Sequence, residues 1–352
     1  MTQFRLVFPL EKPANSNFGR LRLHDGILRP AGVTVTVPAR LHLGFLDLNG
    51  NLGRRFGGIG LAISDFRTSI TVRRTNEAEA TGPESDRARQ YLQTMEHGLA
   101  LEGRHAVSIS QTAPVHAGFG SGTQLALAVA AGLRRLHDLP LDVESDALRL
   151  GRGMRSGIGI GLFRRGGLVV DGGRGDQPTA APIISHLPFP ERWRIVIVLD
   201  PQRRGVHGAD EVNAFATLPP MPEADAARIC RLVLIKALPA LADQDLANFG
   251  AAIKELQTRL GDYFASAQGG SRFSSGNVAA ALRVLDAAGA HGVGQSSWGP
   301  TGFAFAPSPE EADRLVKIAQ QDPSSRGLDI RICTGLNRGA EVVAHSHAHD
   351  RP

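Results

Sequence analysis

Residues 116–133 read HAGFGSGTQLALAVAAGL, and this stretch decides the fold. Its first half places glycine at 118, 120 and 122, and its second half is apolar at helical spacing, which predicts a loop running into a helix near 121–137. Gly118, Gly120 and Gly122 remove the Cβ atoms that would hold a polyanion away from the main chain. The helix start offers unpaired N–H groups and the positive end of its dipole. A phosphate or pyrophosphate group fits that cradle. Ser121 and Thr123 add hydroxyls for phosphate oxygens or a hydrated Mg²⁺, and Gln124 adds a neutral donor. The other reading is a glycine-rich turn that only packs a helix closely on a sheet. The spacing is neither G-x-x-x-x-G-K-[ST] nor G-x-G-x-x-G, so neither common nucleotide fingerprint applies.

Upstream, residues 33–74 alternate in short β-rich runs, VTVTV, LHLGFLDL, GIGLAI and TSITVRR, which predict a sheet with little helix. A helix over 84–101 and a strand over 105–110 complete a strand-loop-helix order around the glycine stretch. Downstream, strands are expected at 165–171 and 194–200 and two or more helices within 223–265. Ser308-Pro309-Glu310-Glu311 forms a capping box for a helix to about 321, flanked by strands at 301–306 and 328–333. FATLPPMP at 215–222 marks a hinge, so lobes are expected at 1–215 and 216–352 with the ligand cleft between them. The first 30 residues and the tail AHSHAHDRP are expected to fray, its alternating histidines being solvated or metal-binding.

Composition narrows the partners. The chain has 352 residues, 42% of them hydrophobic, and a formal net charge of +5 carried almost wholly by arginine, since only four lysines occur. Arginine suits bidentate recognition of carboxylate or phosphate on a small anionic substrate. The arginines are dispersed with little aromatic interleaving, so nucleic acid is not expected as a partner. Cys230 and Cys333 form neither a metal-like spacing nor a disulfide framework. With no leader or membrane-length apolar run read, a cytoplasmic protein with no membrane partner is expected. The oligomeric state, homodimer included, stays open.

Pro114-Val-His-Ala-Gly118-Phe-Gly120-Ser121-Gly122-Thr123 resembles the phosphate loop of the GHMP small-molecule kinase superfamily, with Gly122 standing at the second serine. PARLHLG at 38–44 resembles its first motif and GVGQSSWGPTGFAF at 292–305 its third. The resemblance implies an α+β, two-lobed fold, the N-terminal α/β lobe being ribosomal-protein-S5-like and the C-terminal lobe ferredoxin-like. A narrower resemblance, carried by ARLHLGFLDLNGNLGRRFGGIGLAI, GRGMRSGIGIGLFRRGGLVVDGG and GQSSWGPTGFAF, is to the β-ribofuranosylaminobenzene 5′-phosphate synthase family. It implies condensation of 4-aminobenzoate with phosphoribosyl pyrophosphate, release of CO₂ and pyrophosphate, Mg²⁺, and a place in methanopterin-type cofactor synthesis. Two other functions remain open, an ATP-dependent GHMP kinase and a non-catalytic phosphate-metabolite-binding protein.

Residues for that chemistry are found beside each motif. His42, Asp47, Arg54 and Arg55 lie in one β-rich segment, where His42 and Gly44 share a face if the strand is regular. Gly50 and Gly53 permit a tight turn that brings Arg54 toward Asp47. The catalytic candidates are therefore His42, with Asp47 stabilising developing positive charge and Arg54 clamping a carboxylate or phosphate; a solvated surface ion pair is the alternative. Arg155 and Ser156 open a second glycine run suited to the 5′-phosphate, and Arg152 precedes them either as a ligand or as part of a sheet connection. His207 is a candidate acid, base or phosphate-binding donor and Glu211 is read in the same way, the alternative for both being a solvated loop residue. Gln295, Ser296, Ser297 and Trp298 lie in the third motif, where Trp298 either stacks on the aminobenzoate ring or caps the core.

Overall fold

In the computed structural model, which describes residues 30–205 and 208–346, the four short β-rich runs fuse into two long strands. These are β1 (Gly32–Asp47) and β2 (Phe56–Thr75), an antiparallel pair joined by the turn at 48–55. Bulges between Val37 and Ala39 and between His42 and Gly44 let the strands run on through Pro38 and the change of face. Then come β3 (Glu79–Thr81), α1 (Ser85–Gly98), β4 (Arg104–Gln111), α2 (Ser121–Leu136), α3 (Val143–Arg149), α4 (Ile158–Arg165), β5 (Leu168–Asp171) and β6 (Ile183–Leu187). The chain continues through β7 (Arg194–Leu199), α5 (Gly208–Thr217), α6 (Glu223–Leu232), a π-turn, α7 (Leu238–Ala242), α8 (Leu246–Phe264) and α9 (Gly276–Ala287). It ends with β8 (His291–Gln295), β9 (Gly302–Ala306), α10 (Pro309–Gln321), β10 (Asp329–Cys333) and β11 (Glu341–His345).

Two sheets result. The first has the order β11-β1-β2-β4-β3, with β5 paired to the lower half of β2 and β6 to β5; the second has the order β10-β7-β9-β8. Helix α2 is buried all round from Gln124 to Arg134, and its Leu125, Val129 and Leu133 share a core with Val35, Ile70 and Val72 of the first sheet and with Leu92 of α1. The largest core lies between the sheets, where Leu41 and Leu43 meet Ile195, Ile197, Phe303 and Phe305 across Phe249 and Leu256 of α8. The second sheet is backed by α9 and α10 through Val196, Leu282 and Leu315. Ser308 caps α10 as expected, accepting from the Glu311 amide.

Two boundaries differ from expectation. The division at 215 does not follow sheet membership: β7 precedes it yet pairs in the second sheet, while β11 returns to pair with β1. Residues 215–222 are packed, with Met221 buried and its amide donating to the Leu48 carbonyl, and with Tyr263 donating to the Pro219 carbonyl. The tail expected to fray begins as strand, since Ala344 and His345 pair with Val33 and Gly32, and His345 Nε2 lies 2.8 Å from Thr34 Oγ1. The other two tail histidines, and residues 1–29, lie outside the described residues.

Candidate active site

The glycine stretch forms the loop running into a helix that its spacing predicts. Gly120 stands before α2 with φ +68 and leaves the first turn of the helix without a side-chain cap or an acidic residue. Gly118 has φ +89, and a Cβ there would stand 2.3 Å from the carbonyl oxygen of Ser296, a distance no side chain tolerates. The loop is therefore pressed against the third motif. Ser296 Oγ donates to the Gly118 carbonyl at 2.9 Å and accepts from the His42 amide at 3.0 Å, so one buried hydroxyl joins all three motifs. Thr301 Oγ1 donates to the Ala117 carbonyl at 2.6 Å, and the Arg40 amide donates to the Phe119 carbonyl at 3.0 Å. His116 and Ser297, one from each loop, both take positive φ, of 58 and 55, without being glycine. Such backbone costs about 1 kcal/mol or more per residue and is typical of functional loops.

Three guanidinium groups converge on the loop's helix end. Arg40 Nε lies 2.8 Å from the position a Cβ would take on Gly120, and Nη1 of Arg87 and Nη1 of Arg152 each lie 3.6 Å from the corresponding point on Gly122. With the positive end of the α2 dipole they concentrate positive charge at the loop. Ser121 and Thr123 are half-buried at its floor. Gln124 is buried and donates to the Gly159 carbonyl at 3.3 Å, tying α2 to α4.

Beside this lies an aromatic cluster drawn from both halves of the chain. Phe45 packs with Phe56 at 6.1 Å between ring centroids and with Phe215 at 5.7 Å; Trp298 packs with Phe264 at 4.4 Å and with Phe215 at 5.3 Å. Of its two readings, Trp298 shows the core one. It is buried in the core, and its ring belongs to a wall next to the phosphate loop, with Nε1 lacking a hydrogen-bond partner. Two cations lie over this wall, Arg155 at 5.7 Å from the Phe215 centroid and Arg55 at 5.4 Å from that of Phe56.

The bulge at 42–44 puts His42 opposite Gly60 and Phe45 opposite Gly58, so His42 shares a face with Phe45 and not with Gly44. Its ring stands 4.6 Å from that of Phe45. Burial, assisted by the nearby Arg40 charge, holds the imidazole well below its ordinary pKa, and both ring nitrogens lack hydrogen-bond partners. His42 is a neutral, unsatisfied group beside the cluster. Across the sheet, Asp171 is buried at the start of α4, where Oδ2 accepts from Ser156 Oγ at 2.9 Å and from the Gly157 amide at 3.0 Å. Burial pushes its carboxyl up from the ordinary range against these bonds.

Several expected site residues serve the scaffold. Asp47 Oδ1 accepts from the amides of Asn49 and Gly50 at 2.7 and 2.9 Å, so it caps the turn rather than pairing with Arg54. Arg54 is exposed and donates to the Gly172 and Gly173 carbonyls at 2.7 and 2.6 Å. Asp47 still faces the cluster, being paired with Phe56 across the sheet. Gln295 holds the third motif together: its Oε1 accepts from Ser274 and its Nε2 donates to Gln268 and to the Ser297 carbonyl. Ser156 is held by Asp171, as Ser296 is by its two backbone partners. His207 lies outside the described residues, as does the side chain of Glu211. Arg40 and Arg87 were not singled out by the motifs; Arg40 lies inside the first motif, whereas only the packing of α1 beside α2 reveals Arg87.

The sheets, the glycine cradle and the loop-to-loop contacts place the chain among proteins of the GHMP kinase fold. Family models agree, GHMP kinases N terminal domain over residues 86–162 and GHMP kinases C terminal over residues 237–323. Among solved structures, homoserine kinase from Cytophaga hutchinsonii superposes with a TM-score of 0.63 at 15% identity, covering 93% of this chain and 100% of that one. Mevalonate diphosphate decarboxylase from Enterococcus faecalis gives 0.64 at 12% identity, covering 89% and 99%. At such identities the likeness carries the fold alone. Nearer relatives include two proteins named beta-ribofuranosylphenol 5′-phosphate synthase. The one from Archaeoglobus fulgidus is 32% identical over 87% of this chain and 97% of its own length, and that from Methanothermobacter thermautotrophicus 31% identical over 88% and 98%. The chain belongs to the beta-ribofuranosylphenol 5′-phosphate synthase family.

Proposed function

We propose that this protein joins C1′ of phosphoribosyl pyrophosphate to the carboxyl-bearing ring carbon of 4-aminobenzoate, releasing pyrophosphate and CO₂, for methanopterin-type cofactor synthesis in the cytoplasm. The observation that carries this reading is the Ser296 hydroxyl, which fixes the anion cradle against the strand and loop that supply the aromatic wall. The product is β-ribofuranosylaminobenzene 5′-phosphate. The balance is simple. The C1′–O bond to pyrophosphate breaks, the ring carbon supplies the pair for the new C–C bond, and the pair of the C–COO⁻ bond returns to the ring as CO₂ leaves.

The two halves of the site suit different anionic groups of the substrates. The Gly118–Thr123 loop with Arg40, Arg87 and Arg152 receives the departing pyrophosphate, while Arg155 and Arg55 suit the benzoate carboxylate or the 5′-phosphate. The aromatic cluster excludes water, which would otherwise capture the ribosyl cation. Asp47, with Oδ1 pinned by the turn, supplies negative charge toward that cation. No group of three or more His, Cys, Asp or Glu able to hold a metal occurs among the described residues. Three guanidinium groups repel a free cation, so Ser121 and Thr123 would hold Mg²⁺ only as an ion arriving with the diphosphate, where it would neutralise charge on the leaving group.

A second reading exchanges the amine for a hydroxyl, since the relatives are named for a phenol. Labelled CO₂ release from carboxyl-labelled 4-aminobenzoate and from 4-hydroxybenzoate, each with phosphoribosyl pyrophosphate, decides between them. Turnover of 4-aminobenzoate at the higher kcat/KM is expected. ATP consumption without CO₂ release would instead establish a kinase, and neither activity a binding protein.

A further inference from the structure

Helix α1 contains none of the sequence motifs, yet it brings two side chains to the phosphate loop. Arg87 and Tyr91 are four residues apart and so share a face of α1. Arg87 Nη1 reaches the start of α2. Tyr91 holds Arg152 there, its ring 5.3 Å below the guanidinium and its hydroxyl accepting from Nη2. Both Nη1 atoms stand 3.6 Å from the would-be Cβ of Gly122, so two cations close on one point at the positive end of a helix.

That arrangement is unfavourable by itself. Like charges this close repel, the helix dipole adds to the repulsion, and the first turn of α2 has no acidic residue to offset it. Glu84 neutralises Arg87 at 2.7 Å, but Arg152 has no acidic partner among the described residues. Gly122 leaves the space between the guanidinium groups clear of a side chain. Favourable electrostatics are restored by an anion that is large enough to touch the helix amides and both forks together.

We propose that Arg87 and Arg152, the latter positioned by Tyr91, form a clamp that makes this cradle selective for diphosphate over monophosphate. The inference rests on the reading of the glycine loop as the pyrophosphate site. One phosphoryl group meets the loop amides and the second meets the two forks, an arrangement a single phosphate cannot reproduce.

Calorimetric titration of the full chain with inorganic pyrophosphate and, separately, inorganic phosphate tests it. Arg87→Gln is expected to weaken pyrophosphate binding about tenfold or more while changing phosphate binding less than about threefold. Arg87→Lys, which keeps the charge but loses the fork, should fall between. Tyr91→Phe should weaken pyrophosphate binding by a smaller factor, since it keeps the ring under Arg152 and loses the hydroxyl. Unchanged pyrophosphate affinity in a folded Arg87→Gln protein, or an equal loss for both anions, overturns the clamp. Because the titration needs neither benzoate, failure of the condensation reading would leave its result interpretable, and failure of the clamp would leave CO₂ release intact as a separate test.

Discussion

Asp47 has a structural role in the turn and, in the proposed reaction, a chemical one. One oxygen caps the 48–55 turn, and a substitution that keeps an oxygen there separates structure from chemistry. Asp47→Asn should retain the turn and thermal stability while lowering kcat roughly 10²- to 10³-fold with little change in KM. Full kcat at saturating substrates would reduce Asp47 to a turn cap. Arg54→Lys should instead cost stability, about 1 kcal/mol, because an ammonium cannot span the Gly172 and Gly173 carbonyls. A raised KM at unchanged stability would return Arg54 to the substrate-clamping role its position in the sequence suggests. His42 yields a prediction in pH. Its folded-state pKa lies well below that of the unfolded chain, so the unfolded chain takes up a proton near pH 6.5 that the folded one refuses. Stability is thus retained above that pH and lost below it. Relative to His42→Gln, the wild type should lose up to roughly 1.4 kcal/mol per pH unit below 6.5, read from urea midpoints. A constant difference between the two proteins from pH 7.5 to 5.5 would contradict this.

At the scale of the element, the phosphate loop and α2 behave as a unit because Gly120 must take a left-handed conformation immediately before the first turn. Gly120→Val should cost about 1–2 kcal/mol in backbone strain. It should also displace Arg40, whose Nε lies 2.8 Å from the new Cβ, and weaken pyrophosphate binding by about an order of magnitude. Wild-type affinity by calorimetry would reject the cradle. Elements of this kind were readable in the sequence because their signals are local: the glycines and helical spacing of 116–133, the capping box at Ser308, the apolar run of β7. The β1–β2 hairpin was half readable. Pro38 and the glycines of the 57–60 region look like breaks, whereas bulges and close packing of Ile158 absorb them without ending a strand. Tertiary roles were not readable. Ser296 bridges residues 254 and 178 positions away, and Arg87 acquires its meaning from a neighbouring helix.

For the molecule as a whole, the two cysteines report on how its parts hold together. Cys230 is exposed on α6, whereas Cys333 is buried on β10 with its thiol pushed far up by burial and by nearby Asp65. A native thiol titration should register Cys230 alone, with Cys333 reacting only as fast as the second sheet opens. Prompt modification of both would show that sheet to be loosely held. The pairing of β11 with β1 has a different consequence, one of timing. Thr34 and His345 meet across 311 positions, so during synthesis β1 waits with one edge bare until β11 has been made. A contact of that span closes late and slowly, and meanwhile the edge can pair with the same edge of another nascent chain. In this protein, chaperone dependence and yield in a cell-free synthesis should therefore depend on how soon β11 follows β1.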